Sequence, residues 1–203
     1  MRHNHQSPLF SEASLDSYLR DKIETLDTDI QSLSGQKLMN TDEATLVKEF
    51  VDRYTLNAPK LIEDKKIIDA QEADVTVRGN FDFDEGPFNI KGLAITIKIP
   101  ITGDAELLHL RPTSYTYSMG HQGDVLVQKE LLVLTYETAE KQPEKIKQMW
   151  QQDLEIINKN LINIERDLAN YNSSLQSNVN SMLSKRKKES GNNQSLIDAI
   201  KLG

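Results

Sequence analysis

Asn80, Asp82 and Asp84 have the spacing of the first three ligands of a calcium-binding loop. Such a loop needs glycine at its sixth place and a bidentate glutamate at its twelfth, where this chain has Glu85 and Lys91. Phe81 and Phe83 alternate with the acids, so the segment reads as a strand with a solvated acidic edge. His109 and His121, with Asp104 and Glu106, are the residue types of a metal or acid–base site. Their spacing fits no ligand motif, and His109 between Leu108 and Leu110 reads as a strand surface residue. Lys185, Arg186, Lys187 and Lys188 form one dense basic run. It can contact phosphate, or it can oppose the negative end of a helix dipole and cap the last carbonyls. Tyr115 and Tyr117 could stack bases, but no basic residues flank them. Glu63-Asp64-Lys65 spells the acidic-x-lysine end of a nuclease motif without the apolar strand that would present it. A glycine-rich phosphate loop, a nucleophile elbow and a paired-histidine helix are all absent from the sequence. The expectation is a protein with no catalytic residue, no metal and no cofactor of its own.

Composition narrows the classes further. With 203 residues, 37% of them hydrophobic, the chain can build one modest core plus an extended helical element. A net charge of -7 gives no broad electrostatic footprint for nucleic acid, so any such contact is local. The absence of cysteine excludes disulfides, thiolate zinc sites and cysteine nucleophiles, and it fits a reducing, cytoplasmic setting. Met1 to Gln6 lacks the apolar stretch of a secretory signal, and no window nears the ~20 apolar residues of a membrane span.

Periodicity supplies the elements. Residues 1–10 are polar and expected to be disordered. Residues 11–70 read as N-terminal helices. In the first, over 12–34, Leu15, Leu19, Ile23, Leu26, Ile30 and Leu33 form one stripe and Gly35 is the stop. The second is opened by a capping box from Asn40 to Glu43, carries Leu46, Val47, Phe50, Val51 and Tyr54, and ends at Asn57-Ala58-Pro59. Residues 74–137 alternate with period two, most clearly from Leu93 to Ile101, and predict a small antiparallel meander of about five strands. Pro100 should sit at an edge or a bulge, because it has no N–H for a ladder. From 144 to 188 a stripe of Ile146, Trp150, Leu154, Ile157, Leu161, Ile164, Leu168, Tyr171 and Leu175, continued by Val179 and Met182, predicts a long amphipathic, coiled-coil-like helix. Asp153, Glu155, Lys159, Glu165 and Arg166 are assigned to its wet side. Gly191 should break it before a short helix at 195–203. The fold class is α+β.

A helix of roughly 43 residues is about 65 Å long, more than a small meander can cover. Its stripe therefore predicts an interface made of Trp150, Leu154, Ile157, Leu161, Ile164, Leu168, Tyr171 and Leu175. Trp150 can anchor such a contact or pack the helix on the β-region. The stripe needs a partner helix, which is the N-terminal helix, a second copy of the chain, or both, and the expected assembly is a homodimer or larger homo-oligomer.

Phe88 to Gly92, Ile97 to Asp104, Leu110 to Ser114 and Leu132 to Glu137 leading into a long helix resemble the N-terminal region of a group of uncharacterised bacterial proteins. Those proteins carry a downstream PD-(D/E)xK, restriction-endonuclease-like domain. The resemblance spans about 42–203 and excludes the first forty residues. The chain stops where the nuclease-like part would begin, so the resemblance transfers no catalytic residue. It implies an accessory role in assembling, positioning or regulating a nuclease effector of DNA defence. Residues 88–137 would dock or recognise, and 144–188 would assemble. The alternative is a nucleic-acid-binding module using Lys185, Arg186, Lys187 and Lys188 with Arg53, Arg78 and Arg111. A third reading is a free-standing enzyme built on His109 and His121.

Overall fold

A computed structural model describes residues 9–77, 88–116, 124–128, 130–139 and 143–201. Its element order is mixed α+β with an antiparallel sheet. Strands β1 (Ala13–Ser14) and β2 (Lys60–Leu61) are short, β3 spans Ile67–Val77 and β4 spans Phe88–Thr102. They are followed by β5 (Leu110–Arg111), β6 (Asp124–Gln128) and β7 (Leu131–Thr138). The helices are α1 (Leu15–Gln31), α2 (Gly35–Asn40), α3 (Glu43–Tyr54) and α4 (Pro143–Lys201). The chain divides into two compact units, one of residues 1–15 and 58–165, the other of 16–57 and 166–203.

The β-unit is ordered around β4. On one flank β4 pairs with β7, which pairs with β6. On the other flank it pairs with β2 at 101–102 and with β3 over 88–98, all antiparallel. Ile97, Ile99 and Ile101 on β4, with Leu132, Leu134 and Tyr136 on β7, are buried on one face. The Tyr136 hydroxyl donates to the Asp153 carboxylate at 2.9 Å, which sets the first part of α4 over that face. Ile146, Ile157, Leu161 and Ile164 of α4 are buried in the same unit. Leu9 and Phe10 are buried too, with the Phe10 N–H donating to Leu108. The disordered start expected for 1–10 therefore ends before Leu9, because these two side chains have apolar surface to hide.

Pro100 lies inside β4 and not at a sheet edge. The Pro100 carbonyl accepts from the Ile62 N–H, while the Ile101 N–H donates the opposite way, to Glu130. The backbone nitrogen of Pro100 thus points at the place where a 3-10 turn (Glu63–Lys65) separates β2 from β3. No ladder donor is required there, so proline costs the sheet nothing.

The helical unit packs α1, α3 and the second part of α4. Leu26, Ile30, Leu46, Phe50, Leu168, Leu175, Val179 and Leu183 are buried. Helix α3 opens on Asp42, whose carboxylate accepts from Thr45 N–H at 3.2 Å. The cap is Asp42 where the capping box points to Asn40. Gly35 begins α2 under a Ser34 cap instead of ending the region. Gly191 does not break α4, which runs on to Lys201, so there is no separate short helix at 195–203. Ala13–Ser14, Lys60–Leu61 and the start of β3 pair as strands within the region assigned to helices, so the β-region is wider than 74–137.

Candidate protein-interaction edge

The stripe of α4 is covered by the chain itself. Ile157, Leu161, Ile164, Leu168, Tyr171 and Leu175 are buried, and Trp150 and Leu154 are half-buried. Six of the eight residues assigned to an interface are thus core positions, and they cannot meet a second copy without opening a unit. Polar groups fix the arrangement as well. Asn160, 0% exposed, accepts from the Thr116 N–H at 2.9 Å and donates to the Thr116 carbonyl at 3.2 Å. Asp153, assigned above to the wet face, is 1% exposed. Desolvation pushes the Tyr136 hydroxyl well above its usual range, and the Asp153 charge adds to the shift. Both groups sit on the packed side of a helix, where they pin register in place of gaining burial.

In the helical unit, the Tyr171 hydroxyl donates to the Tyr54 carbonyl at 3.1 Å. The next residue, Asn172, accepts from Leu56 N–H at 3.2 Å and donates to Leu56 O at 2.8 Å. Burial, and then the hydrogen bond to Asp29, push the Tyr54 hydroxyl up to about 12. A cleft of about 350 Å³ beside it is lined by Tyr18, Asp21, Lys22, Thr25, Arg53 and Tyr54. Its cations are already engaged. Lys22 lies 5.1 Å from the Tyr18 ring centre, and Arg53 pairs with Glu49 at 2.8 Å.

The basic run is partly consumed in the same unit. Arg186 donates to the Leu33 carbonyl at 3.1 Å, in the link between α1 and α2, and Lys187 pairs with Glu43 at 2.7 Å. The run lies inside α4 and not at its end, and the carbonyl that Arg186 meets is outside α4, at Leu33. Lys185 and Lys188 are exposed. His109 lies in a 3-10 turn (Ala105–His109), with Nδ1 3.5 Å from the Glu12 carboxylate. Asn80, Asp82, Asp84, Tyr117 and His121 lie outside the described residues, and Tyr115 is exposed. Among the described residues no cluster of three or more acids or histidines could hold a metal ion, and no helix is long and apolar enough to cross a membrane.

One strand has an edge that no described strand covers. Among the described residues β3 pairs only with β4, so its second edge is open over eleven residues. Ladder parity identifies what that edge presents. Because Pro100 turns its backbone groups toward β2, the even residues of β4 face β3 and the odd ones face β7. The odd residues of β3 lie opposite those even partners and are bonded inward. Ile68, Ala70, Glu72, Asp74 and Thr76 therefore turn their N–H and C=O groups outward. Their side chains are all exposed, and Ile67 and Ile68 are 58% and 57% exposed. Asp69 pairs with Lys98 at 2.9 Å and Asp74 with Lys91 at 2.6 Å. Glu72 has no ion-pair partner among the described residues. The opposite sheet edge, β6, is only five residues long and has the 105–109 turn as a neighbour. An open, long and partly apolar edge is the feature proteins ordinarily blunt. Periodicity had marked β4 and missed this edge. The signal available was the acid-rich composition of 69–74 beside two isoleucines.

No family model, no curated protein and no solved structure matches the chain.

Proposed function

We propose that the protein is a non-catalytic interaction module that takes up an extended segment of another protein along the open edge of β3. The nuclease half of the proposal rests on the resemblance of residues 88–137: the module is an accessory or regulatory part of a nuclease-type effector of DNA defence. The observation that carries the binding half is a row of five outward-pointing backbone pairs on β3 with exposed isoleucines at one end. Strand addition draws its affinity from such main-chain groups and its specificity from alternate side chains. The acids at 69, 72 and 74 favour a protein over a phosphate backbone as the guest.

Amide hydrogen exchange on the purified protein tests the binding half. The amides of Ile68, Ala70, Glu72, Asp74 and Thr76 should exchange close to peptide rates, while Asp69, Gln71 and Ala73 stay protected. Equal protection of both sets would mean the edge is already occupied and would end the proposal. Magnesium-dependent cleavage of duplex DNA by the purified chain would overturn the non-catalytic half.

A further inference from the structure

The outward-facing residues of β3 divide into two halves of different chemistry. Ile68 and Ala70 continue the apolar face of the sheet beside Ile97 and Ile95, their partners on β4. Glu72 and Asp74 follow on the same face, opposite Leu93 and Lys91. Lys91 neutralises Asp74, whereas Glu72 meets no cation among the described residues. A strand added to this edge places one of its alternate side chains beside each of these four residues, about 5 Å away. It gains most by setting apolar side chains against the first pair and basic ones against the second.

Resting on the strand-addition reading, we infer that the guest is an antiparallel segment carrying Lys or Arg at two alternate positions and, following them, apolar residues at the next two alternate positions. Read from its N-terminus, the pattern is basic-x-basic-x-apolar-x-apolar. The intervening residues fall on the other face, beside Asp69, Gln71 and Ala73, and are polar.

A second copy of β3 is a poor guest. Centred on Gln71, antiparallel self-pairing sets Asp74 against Ile68 and Glu72 against Ala70. Centred on Glu72, it sets that carboxylate against its own copy. Both arrangements place like charge on like charge or charge on apolar surface, which disfavours pairing.

The test is fluorescence anisotropy with labelled synthetic peptides containing Lys-Thr-Lys-Thr-Val-Thr-Val, the same sequence with Glu for Lys, and the order-reversed sequence. The first should bind at least about tenfold more tightly than the other two. Glu72→Lys, at an exposed position that leaves the fold intact, should remove that preference and raise affinity for the Glu peptide. Ala70→Pro deletes one outward N–H without breaking a bond to β4 and should abolish binding of all three. Equal binding of all three peptides, lost in Ala70→Pro, overturns the charge pattern and leaves the edge reading standing. Tighter binding of the order-reversed peptide overturns the antiparallel direction. No binding of the first peptide, or unchanged binding by Ala70→Pro, overturns the edge reading itself.

Discussion

The clamp that Asn172 makes on Leu56 gives the sharpest stability prediction. Its side-chain amide satisfies both backbone groups of Leu56 at 3.2 and 2.8 Å, where the chain leaves α3. Leu56 is buried, so neither group finds water when the amide is removed. Each bond contributes about 0.5–1.5 kcal/mol net, and an orphaned buried backbone group costs somewhat more. Asn172→Ala should therefore destabilise the helical unit by about 1–3 kcal/mol. Asn172→Asp keeps the acceptor but points a carboxylate at the Leu56 carbonyl, and it should be at least as damaging. Tyr171→Phe, which removes only the bond to Tyr54, should cost about 0.5–1.5 kcal/mol. Urea unfolding followed by circular dichroism at 222 nm measures all three, because this unit is helical. The fluorescence of the single tryptophan, Trp150, follows the β-unit in the same experiment. If Asn172→Ala unfolds within about 0.5 kcal/mol of the parent, water reaches Leu56 and the clamp argument is wrong.

Three further outcomes are expected. A Cβ on Gly92 would meet the Thr138 carbonyl and lie 2.6 Å from Val75 Cγ2, so Gly92→Ala must part β4 from β7 at its end. It should cost about 1–3 kcal/mol, read as a lower urea midpoint of the Trp150 signal. Gly191 sits within α4 with nothing crowding its Cβ position among the described residues, so Gly191→Ala should raise stability by roughly 0.5–1 kcal/mol. Tyr54, Tyr136 and Tyr171 are all held neutral above their usual range, so their contribution is complete below pH 10. For Tyr54 it is lost as pH rises from 10 to about 12. Stability should fall over that window as tyrosinate absorbance at 295 nm rises, and Tyr54→Phe should flatten part of the fall.

What could be read in advance was whatever depends on near neighbours. The stripe from Leu15 to Ile30 and the alternation from Leu93 to Ile101 each contain their own period, and both became the expected elements. Single residues misled where a neighbour outweighed them. Ser34 supplies a cap that turns Gly35 from a stop into a start. The helical residues on both sides of Gly191 outweigh its roughly 1 kcal/mol cost. The larger misreading was the apparent lack of a cover for the α4 stripe. Its covering residues lie more than a hundred positions away for Tyr171 and Asn172, and no local pattern reports such pairing. Asp153 misled for the same reason, since a polar residue on a buried helix face looks solvated until Tyr136 arrives from elsewhere in the chain. The open edge of β3 was invisible because a strand's free side is set by which neighbour is missing.

The interruption beside Pro100 has a consequence for any strand that docks on β3. The turn at Glu63–Lys65 lies between β2 and β3, opposite the place in β4 where Pro100 has no N–H to donate. On the proposed strand addition, a guest paired along β3 reaches this break at Ile67, where the strand begins. The notch that makes room for one residue without an N–H thereby sets the zero of a ruler.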